Sequence, residues 1–166
     1  MLVLVGIMLG GLGDIGLLDS LQSKKAMWGV LAFFAGHICY VLYILDNFSL
    51  HIPIHCLILI PLIYLSLSGF VYARICPHMP AFFRIPGLLY MLILSSLSCL
   101  CLYACISHPC CGTAIAFAGA SFFLVSDGIL AWSTFVGEGQ TPVFRFFVML
   151  TYILAQALLA FGWAIA

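Results

Sequence analysis

Residues 112–136 read GTAIAFAGASFFLVSDGILAWSTFV. This stretch is long enough and apolar enough for an α-helix to cross a bilayer, which takes about 20 residues. Its one charged residue is Asp127. Insertion scales assign a cost of about 2.5–3.5 kcal/mol to an aspartate at the centre of a membrane helix. An acid retained at that depth indicates a functional group.

The rest of the chain has the same character. Asp, Glu, Lys and Arg make up 6% of its 166 residues, hydrophobic residues make up 66%, and the mean hydropathy is +1.29. Soluble domains contain about 25% charged residues. The composition therefore predicts one all-α domain, a polytopic transmembrane helix bundle. The formal net charge is zero and there is no basic run, so we expect no nucleic-acid partner.

Charged and turn-forming residues divide the chain into about six apolar spans. The predicted spans are residues 1–18, 26–45, 53–73, 86–106, 112–136 and 143–165. Pro77 and Pro80 lie in the predicted loop between the third and fourth spans, from Arg74 to Arg84. Each span is near the length that a bilayer requires.

Basic residues occur only in or beside alternate loops. Lys24 and Lys25 lie in the first loop, Arg74 and Arg84 in the third, and Arg145 beside the fifth. By the positive-inside rule, these loops are cytoplasmic and both termini lie outside. Because the loops are short and carry no targeting signal, a bacterial inner membrane is the first expectation and a eukaryotic internal membrane the second.

Small residues indicate which helix faces pack inward. Gly6, Gly10 and Asp14 recur every four residues, so that the acid shares a face with glycines that permit close helix approach. We therefore expect the Asp14 carboxyl to point into the bundle. In the fifth span, Gly119 and Asp127 belong to one row, beside a second row of small residues: Gly112, Ala116 and Ala120.

Other polar residues also occupy the middle of apolar spans. His37 lies in the second span with Tyr40 three residues later, and Tyr90 lies in the fourth. Tyr152 and Gln156 are one turn apart in the sixth span and are expected to project together.

These positions form a pattern of four motifs. The motifs are Gly13-Asp14, Gly36-His37-x-x-Tyr40, Phe123-x-x-Ser126-Asp127-Gly128-x-Leu130-Ala131-Trp132 and Tyr152-x-x-Ala155-Gln156. With them the chain resembles the YhhN-like lysoplasmalogenase family over most of its length. The resemblance implies an integral membrane enzyme that hydrolyses the vinyl ether bond of lysoplasmalogens. The products would be a fatty aldehyde and glycerophosphocholine or glycerophosphoethanolamine.

The chain departs from the family pattern at two points. Members of the family have about eight helices, and we expect this chain to lack about two at its N-terminus. The final motif of the family often carries tandem tyrosines, whereas Tyr152 is followed here by Ile153.

Hydrolysis of a vinyl ether requires a proton donor to carbon and a negative group that stabilises the resulting cation and orients water. Two carboxyl groups in one low-dielectric pocket supply both, because they repel each other when both are ionised and one of them keeps its proton. We therefore assign Asp14 and Asp127 as the acid/base pair, with His37 as a proton relay or water-orienting group. The substrate-binding residues would be Tyr90, Ser126, Tyr152 and Gln156.

The expected partners are the bilayer and a lysophospholipid substrate. We expect Arg74 or Arg84, at the cytoplasmic rim, to attract the phosphate of this lipid. No cofactor and no metal are expected.

Two other functions use the same residues. Paired acids with a histidine also suit a proton-coupled transporter, although no inverted repeat is evident. A metal-dependent membrane hydrolase would use His37, His51, His55 and an aspartate. Neither the His51–His55 pair nor the set His108, Cys110 and Cys111 forms a complete four-ligand pattern. If the missing helices have removed the pocket, the chain would be a non-catalytic membrane scaffold.

Overall fold

The chain forms a bundle of α-helices in a computed structural model that describes residues 1–17, 26–137 and 141–166. The helices found in these ranges are α1 (Leu2–Gly16), α2 (Ala26–Asn47), α3 (Ile54–Ile75), α4 (Ala81–Ser107), α5 (Cys111–Phe135) and α6 (Pro142–Ile165). The described residues contain no strand. The predicted all-α class is therefore confirmed.

Helices α2 to α6 are each long and apolar enough to cross a membrane, whereas α1 has 15 residues. The protein is an integral membrane protein by this criterion. Two predicted loops fall partly outside the described residues, which include neither Lys24 and Lys25 nor positions 138–140.

The third loop is shorter than the sequence predicts. Arg74 lies in the last turn of α3 and Arg84 lies inside α4, with only the 3₁₀ turn Cys76–His78 and two further residues between the helices. Pro86 is accommodated within α4, where it leaves one backbone carbonyl without its helical partner. The added first turn compensates by burying Phe83, whose ring packs against Phe135.

Glycines bring α1 and α2 into backbone contact. A Cβ atom on Gly16 would lie 2.6 Å from the Cα of Gly29, and one on Gly6 would lie 3.2 Å from the carbonyl oxygen of Gly36. No larger side chain fits at either crossing. On the predicted inward row of α1, Gly6 packs on α2, whereas a Cβ on Gly10 would lie 2.5 Å from Nε2 of Gln156 on α6.

Helices α5 and α6 form a second close pair. A Cβ on Gly162 would lie 2.5 Å from the backbone nitrogen of Ala116, and one on Gly119 would lie 2.7 Å from that of Leu159. The predicted row of small residues in α5 packs at this crossing, and its members Ala116 and Ala120 are fully buried.

Helix α4 connects the two pairs, and α3 lies at the periphery. Helix α4 packs against α2 and α5 on one side and against α3 on the other. The contact with α3 is polar: the hydroxyls of Ser68 and Ser95 are 2.6 Å apart, and those of Tyr64 and Ser98 are 2.9 Å apart. Hydrogen bonds of this kind hold helices together in lipid, where apolar packing is not driven by water.

Candidate functional site

A cavity of about 1230 Å³ lies within the bundle, with residues of all six helices in its walls. Its walls are mostly apolar. The acidic residues that line it are Asp14 and Asp127, and tyrosines Tyr90 and Tyr152 line it beside them. The two carboxyls singled out in the sequence, on α1 and α5, therefore face one shared space.

The cavity lies toward the end of the bundle that carries the exposed arginines, which we call the basic end: Arg74, Arg84 and Arg145. Asp14 is in the last turn of α1. At a rise of 1.5 Å per residue, Tyr90, Asp127 and Tyr152 lie about 12–15 Å along their helices from the basic end. These four residues form a layer below the rim of the cavity, which we call the polar layer: Asp14, Tyr90, Asp127 and Tyr152.

Asp127 is half-buried and is held by Tyr90. The Tyr90 hydroxyl on α4 donates a hydrogen bond to Oδ2 of Asp127 on α5. This hydrogen bond links α4 to α5. No described residue donates a hydrogen bond to the other carboxyl oxygen of Asp127.

Asp14 ends a chain of three hydrogen bonds. Tyr40 donates to Oε1 of Gln156 over 3.0 Å, Gln156 Nε2 donates to the Tyr152 hydroxyl over 3.4 Å, and Tyr152 donates to Oδ2 of Asp14 over 2.8 Å. Asp14 is more exposed than Asp127, because it lies where α1 ends at the cavity mouth. Among the described residues, its carboxyl accepts a side-chain hydrogen bond on Oδ2 only.

The two carboxyls line the same cavity. They come from different helices and are separately held by tyrosines, Tyr152 for Asp14 and Tyr90 for Asp127. This arrangement places two carboxyl groups on the walls of one space, and acid/base chemistry on an apolar molecule needs one proton donor and one negative group in such a position.

His37 lies behind the wall of the cavity and does not line it. Its Nδ1 donates to the carbonyl oxygen of Phe33 over 2.6 Å, and Nε2 has no hydrogen-bond partner among the described residues. Its ring packs edge-on against Tyr90 and Phe123, with centroid distances of 5.6 and 4.9 Å. The structure therefore places His37 in contact with the ring of Tyr90, with its hydrogen bond directed to Phe33 instead of to a carboxyl.

Two predicted substrate-binding residues have partners within the protein. Ser126 is fully buried and its hydroxyl donates to the carbonyl oxygen of Val148 over 3.1 Å, which ties α5 to α6. Gln156 does not line the cavity but connects Tyr40 to Tyr152. The amide of Gln156 and the hydroxyl of Ser126 thus position the helices and the tyrosine around the space.

Arg145 lines the cavity, whereas Arg74 and Arg84, which are predicted to attract the phosphate at the cytoplasmic rim, are not among the lining residues. Arg74 lies over the ring of Phe70, and Arg84 Nε donates to the carbonyl oxygen of Met79 over 3.4 Å. Sequence reasoning used Arg145 only for orientation. Its spacing of seven residues from Tyr152, two helical turns, was the signal that could have found it.

The residues of the metal-dependent alternative do not come together. His51 precedes α3 and its backbone nitrogen donates to Ser107 Oγ over 3.0 Å, about 25 Å along α4 from Tyr90. His51 and His55 do not lie on one helix, because α3 begins only at Ile54. Within the described ranges, no three His, Cys, Asp or Glu side chains are grouped closely enough to hold a metal ion.

Comparison with protein families gives one match. The model of the YhhN family matches residues 1–163, which include every polar residue of the cavity layer. Neither the curated proteins nor the solved structures gave a match. Because the family match spans nearly the whole chain, this integral membrane protein belongs to the YhhN family.

Proposed function

We propose that this protein is a membrane hydrolase that cleaves the vinyl ether bond of lysoplasmalogens. The products are a fatty aldehyde and glycerophosphocholine or glycerophosphoethanolamine. The observation that carries the proposal is that Asp14 and Asp127 line one large cavity with mostly apolar walls. Membership of the YhhN family supports it, since the motifs that resemble lysoplasmalogenases supply these two acids.

The size and lining of the cavity suit a lipid. Pockets for small molecules occupy about 300–1,000 Å³, and this cavity of about 1230 Å³ exceeds that range. An alkenyl chain would lie along apolar residues such as Val30, Leu94 and Leu124, while the glycerol meets the polar layer. A lysolipid, with one chain, presents this combination of a long apolar part and a compact polar part.

The reaction begins with transfer of a proton from one carboxyl group to the outer carbon of the vinyl ether double bond. The other carbon of the former double bond and the ether oxygen bonded to it then share a positive charge, which the second carboxylate stabilises. Water adds to that carbon and returns a proton to a carboxylate. The hemiacetal so formed gives its hydroxyl proton to a carboxylate and breaks its bond to the glycerol oxygen, which takes up a proton from a carboxyl group. The products are the aldehyde and the glycerol hydroxyl.

Tyr90 and Tyr152 hold the reacting carboxyls in this scheme. Each hydroxyl donates to Oδ2 of its aspartate. This hydrogen bond fixes the orientation of the carboxyl group and therefore that of its other oxygen. Through its contact with the Tyr90 ring, His37 acts as a positioning residue for Asp127.

Purified protein in detergent tests the proposal. We expect release of aldehyde from a lysoplasmalogen and none from its ester or saturated-ether analogue, because only the vinyl ether gives a stabilised cation on protonation. Cleavage of the ester alone would overturn the proposal. A proton-coupled carrier would release no aldehyde and would need a sealed compartment to show any activity.

Removal of the Tyr90 hydroxyl should slow the reaction without preventing folding. The Tyr90→Phe variant retains the ring that packs on His37 but leaves Asp127 without its donor. We expect kcat to fall about tenfold, as is typical for loss of a hydrogen bond to a charged group. The measurement is the initial rate of aldehyde release at saturating lysoplasmalogen.

The matched control is Tyr64→Phe. Tyr64 also donates or accepts one side-chain hydrogen bond, with Ser98, but it does not line the cavity. This variant should retain the wild-type rate. Equal loss of rate in the two variants would mean that Tyr90 acts through general packing and not through Asp127.

A further inference from the structure

The cavity has charge of opposite sign at different depths. Its acidic groups belong to the polar layer, whereas the one basic side chain among its described lining residues is Arg145, in the first turns of α6. Arg145 is exposed, as expected for a residue at the rim. A ligand that carries a negative charge is therefore attracted at the rim and repelled further in.

Arg145 and Tyr152 share one face of α6. The cavity-lining residues of this helix recur at helical spacing, and Val148 and Met149 fill the turn between Arg145 and Tyr152. Arg145 and Tyr152 are two turns apart on α6, which is about 10 Å along the helix axis. The Tyr152 hydroxyl in turn contacts Asp14.

This separation matches the head of a lysophospholipid. Five covalent bonds connect the ether oxygen at the first glycerol carbon to the phosphorus, about 6 Å when extended. The difference of about 4 Å is shorter than an extended arginine side chain, and Arg145 lines the cavity. With the ether oxygen near the carboxyls, the phosphate would lie between the polar layer and the backbone position of Arg145.

We propose that Arg145 binds the phosphate of the lysophospholipid and thereby sets which lipids the cavity accepts. The identity of the scissile bond rests on the proposed function, but the recognition of a phosphodiester does not. A guanidinium donates two parallel hydrogen bonds to phosphate oxygens, a geometry that an ammonium lacks. The choline or ethanolamine group then projects from the rim toward water.

Arg74 and Arg84 do not provide this contact. Both lie at the same end of the bundle, but neither lines the cavity. They serve as matched controls, because they are exposed arginines at the same end of the bundle that do not line the cavity.

Binding of a lipid that cannot be hydrolysed by this chemistry tests the proposal. The probes are a saturated 1-alkyl lysophosphocholine and the corresponding 1-alkylglycerol, which lacks the phosphate. Equilibrium binding of each is measured to the full chain in a non-ionic detergent. We expect wild-type protein to bind the phosphocholine ether about tenfold more tightly, as is typical for charge-assisted hydrogen bonds.

The variants Arg145→Gln and Arg145→Lys separate the phosphate contact from other roles. Arg145→Gln should lose the preference while it still binds the alkylglycerol. Arg145→Lys should retain part of the preference, because charge remains but the paired hydrogen bonds are lost. Arg84→Gln should keep the full preference.

Two results would overturn the inference. One is that wild-type protein binds the two probes with equal affinity or does not bind the phosphocholine ether at all. This result does not depend on the folding of any variant. The other is an unchanged preference in Arg145→Gln. If aldehyde release is absent but the preference depends on Arg145, the proposed hydrolysis fails and the phosphate site stands.

Discussion

The Asp127→Asn variant should release almost no aldehyde from a lysoplasmalogen. Asparagine has the shape of aspartate and can accept the hydrogen bond from Tyr90, but it cannot donate an acidic proton or carry a negative charge. Acid/base catalysis contributes about 10²–10⁴-fold to a rate, and we expect a loss of that order. Asp14→Asn should be affected to a similar extent, because the scheme needs both carboxyls.

The control for both variants is Asp46→Asn. Asp46 is exposed near the end of α2 that lies away from the cavity, and it does not line that space. All three variants should insert into membranes with wild-type yield and elute from size exclusion at the wild-type position. Near-normal turnover in Asp14→Asn and Asp127→Asn would reject the assignment of the acid/base pair.

Gly162→Ala should destabilise the bundle. The new Cβ would lie 2.5 Å from the backbone nitrogen of Ala116 and 2.8 Å from the carbonyl oxygen of Gly112. Backbone atoms of a helix cannot turn aside as a side chain does, so α6 must shift away from α5. Overpacking of this kind costs about 1–3 kcal/mol in free energy of unfolding. Thermal unfolding in detergent measures the change.

Gly69→Ala is the matched control. Outside its own turn of α3, no atom of the described residues lies within 4 Å of the position that its Cβ would occupy. Alanine favours a helix over glycine by about 1 kcal/mol, so this variant should be as stable as the wild type or more so. If both variants melt at the same temperature, close contact between α5 and α6 does not support the fold.

Helical periodicity predicted the faces of the helices well. Gly6 and Gly10 are buried, and Asp14, on the same row, reaches the cavity. Periodicity works here because residues three or four apart must share a side of the helix. Periodicity does not show which neighbouring helix that side contacts. The exposed position of Asp14 at the mouth of the cavity depends on where α1 ends.

Contacts between distant helices could not be predicted in the same way. His37 shares the second span with Tyr40, yet only the approach of α4 and α5 shows that its ring meets Tyr90 and Phe123. The same applies to Arg145, which lines the cavity because α6 turns that face toward α5. The distribution of basic residues among the loops predicts the end of the bundle at which an arginine lies, but it does not predict whether that arginine lines the cavity.

The hydrogen bonds that run from Tyr40 through Gln156 and Tyr152 to Asp14 all point the same way. Each dipole is aligned with the next, so that each bond strengthens its neighbour. Without the Tyr40 hydroxyl, the Gln156 amide would lose the anchor that fixes its orientation, and a rotated amide would compete with Asp14 for the Tyr152 proton. A tyrosine that never meets the lipid can therefore tune a reacting acid from a distance.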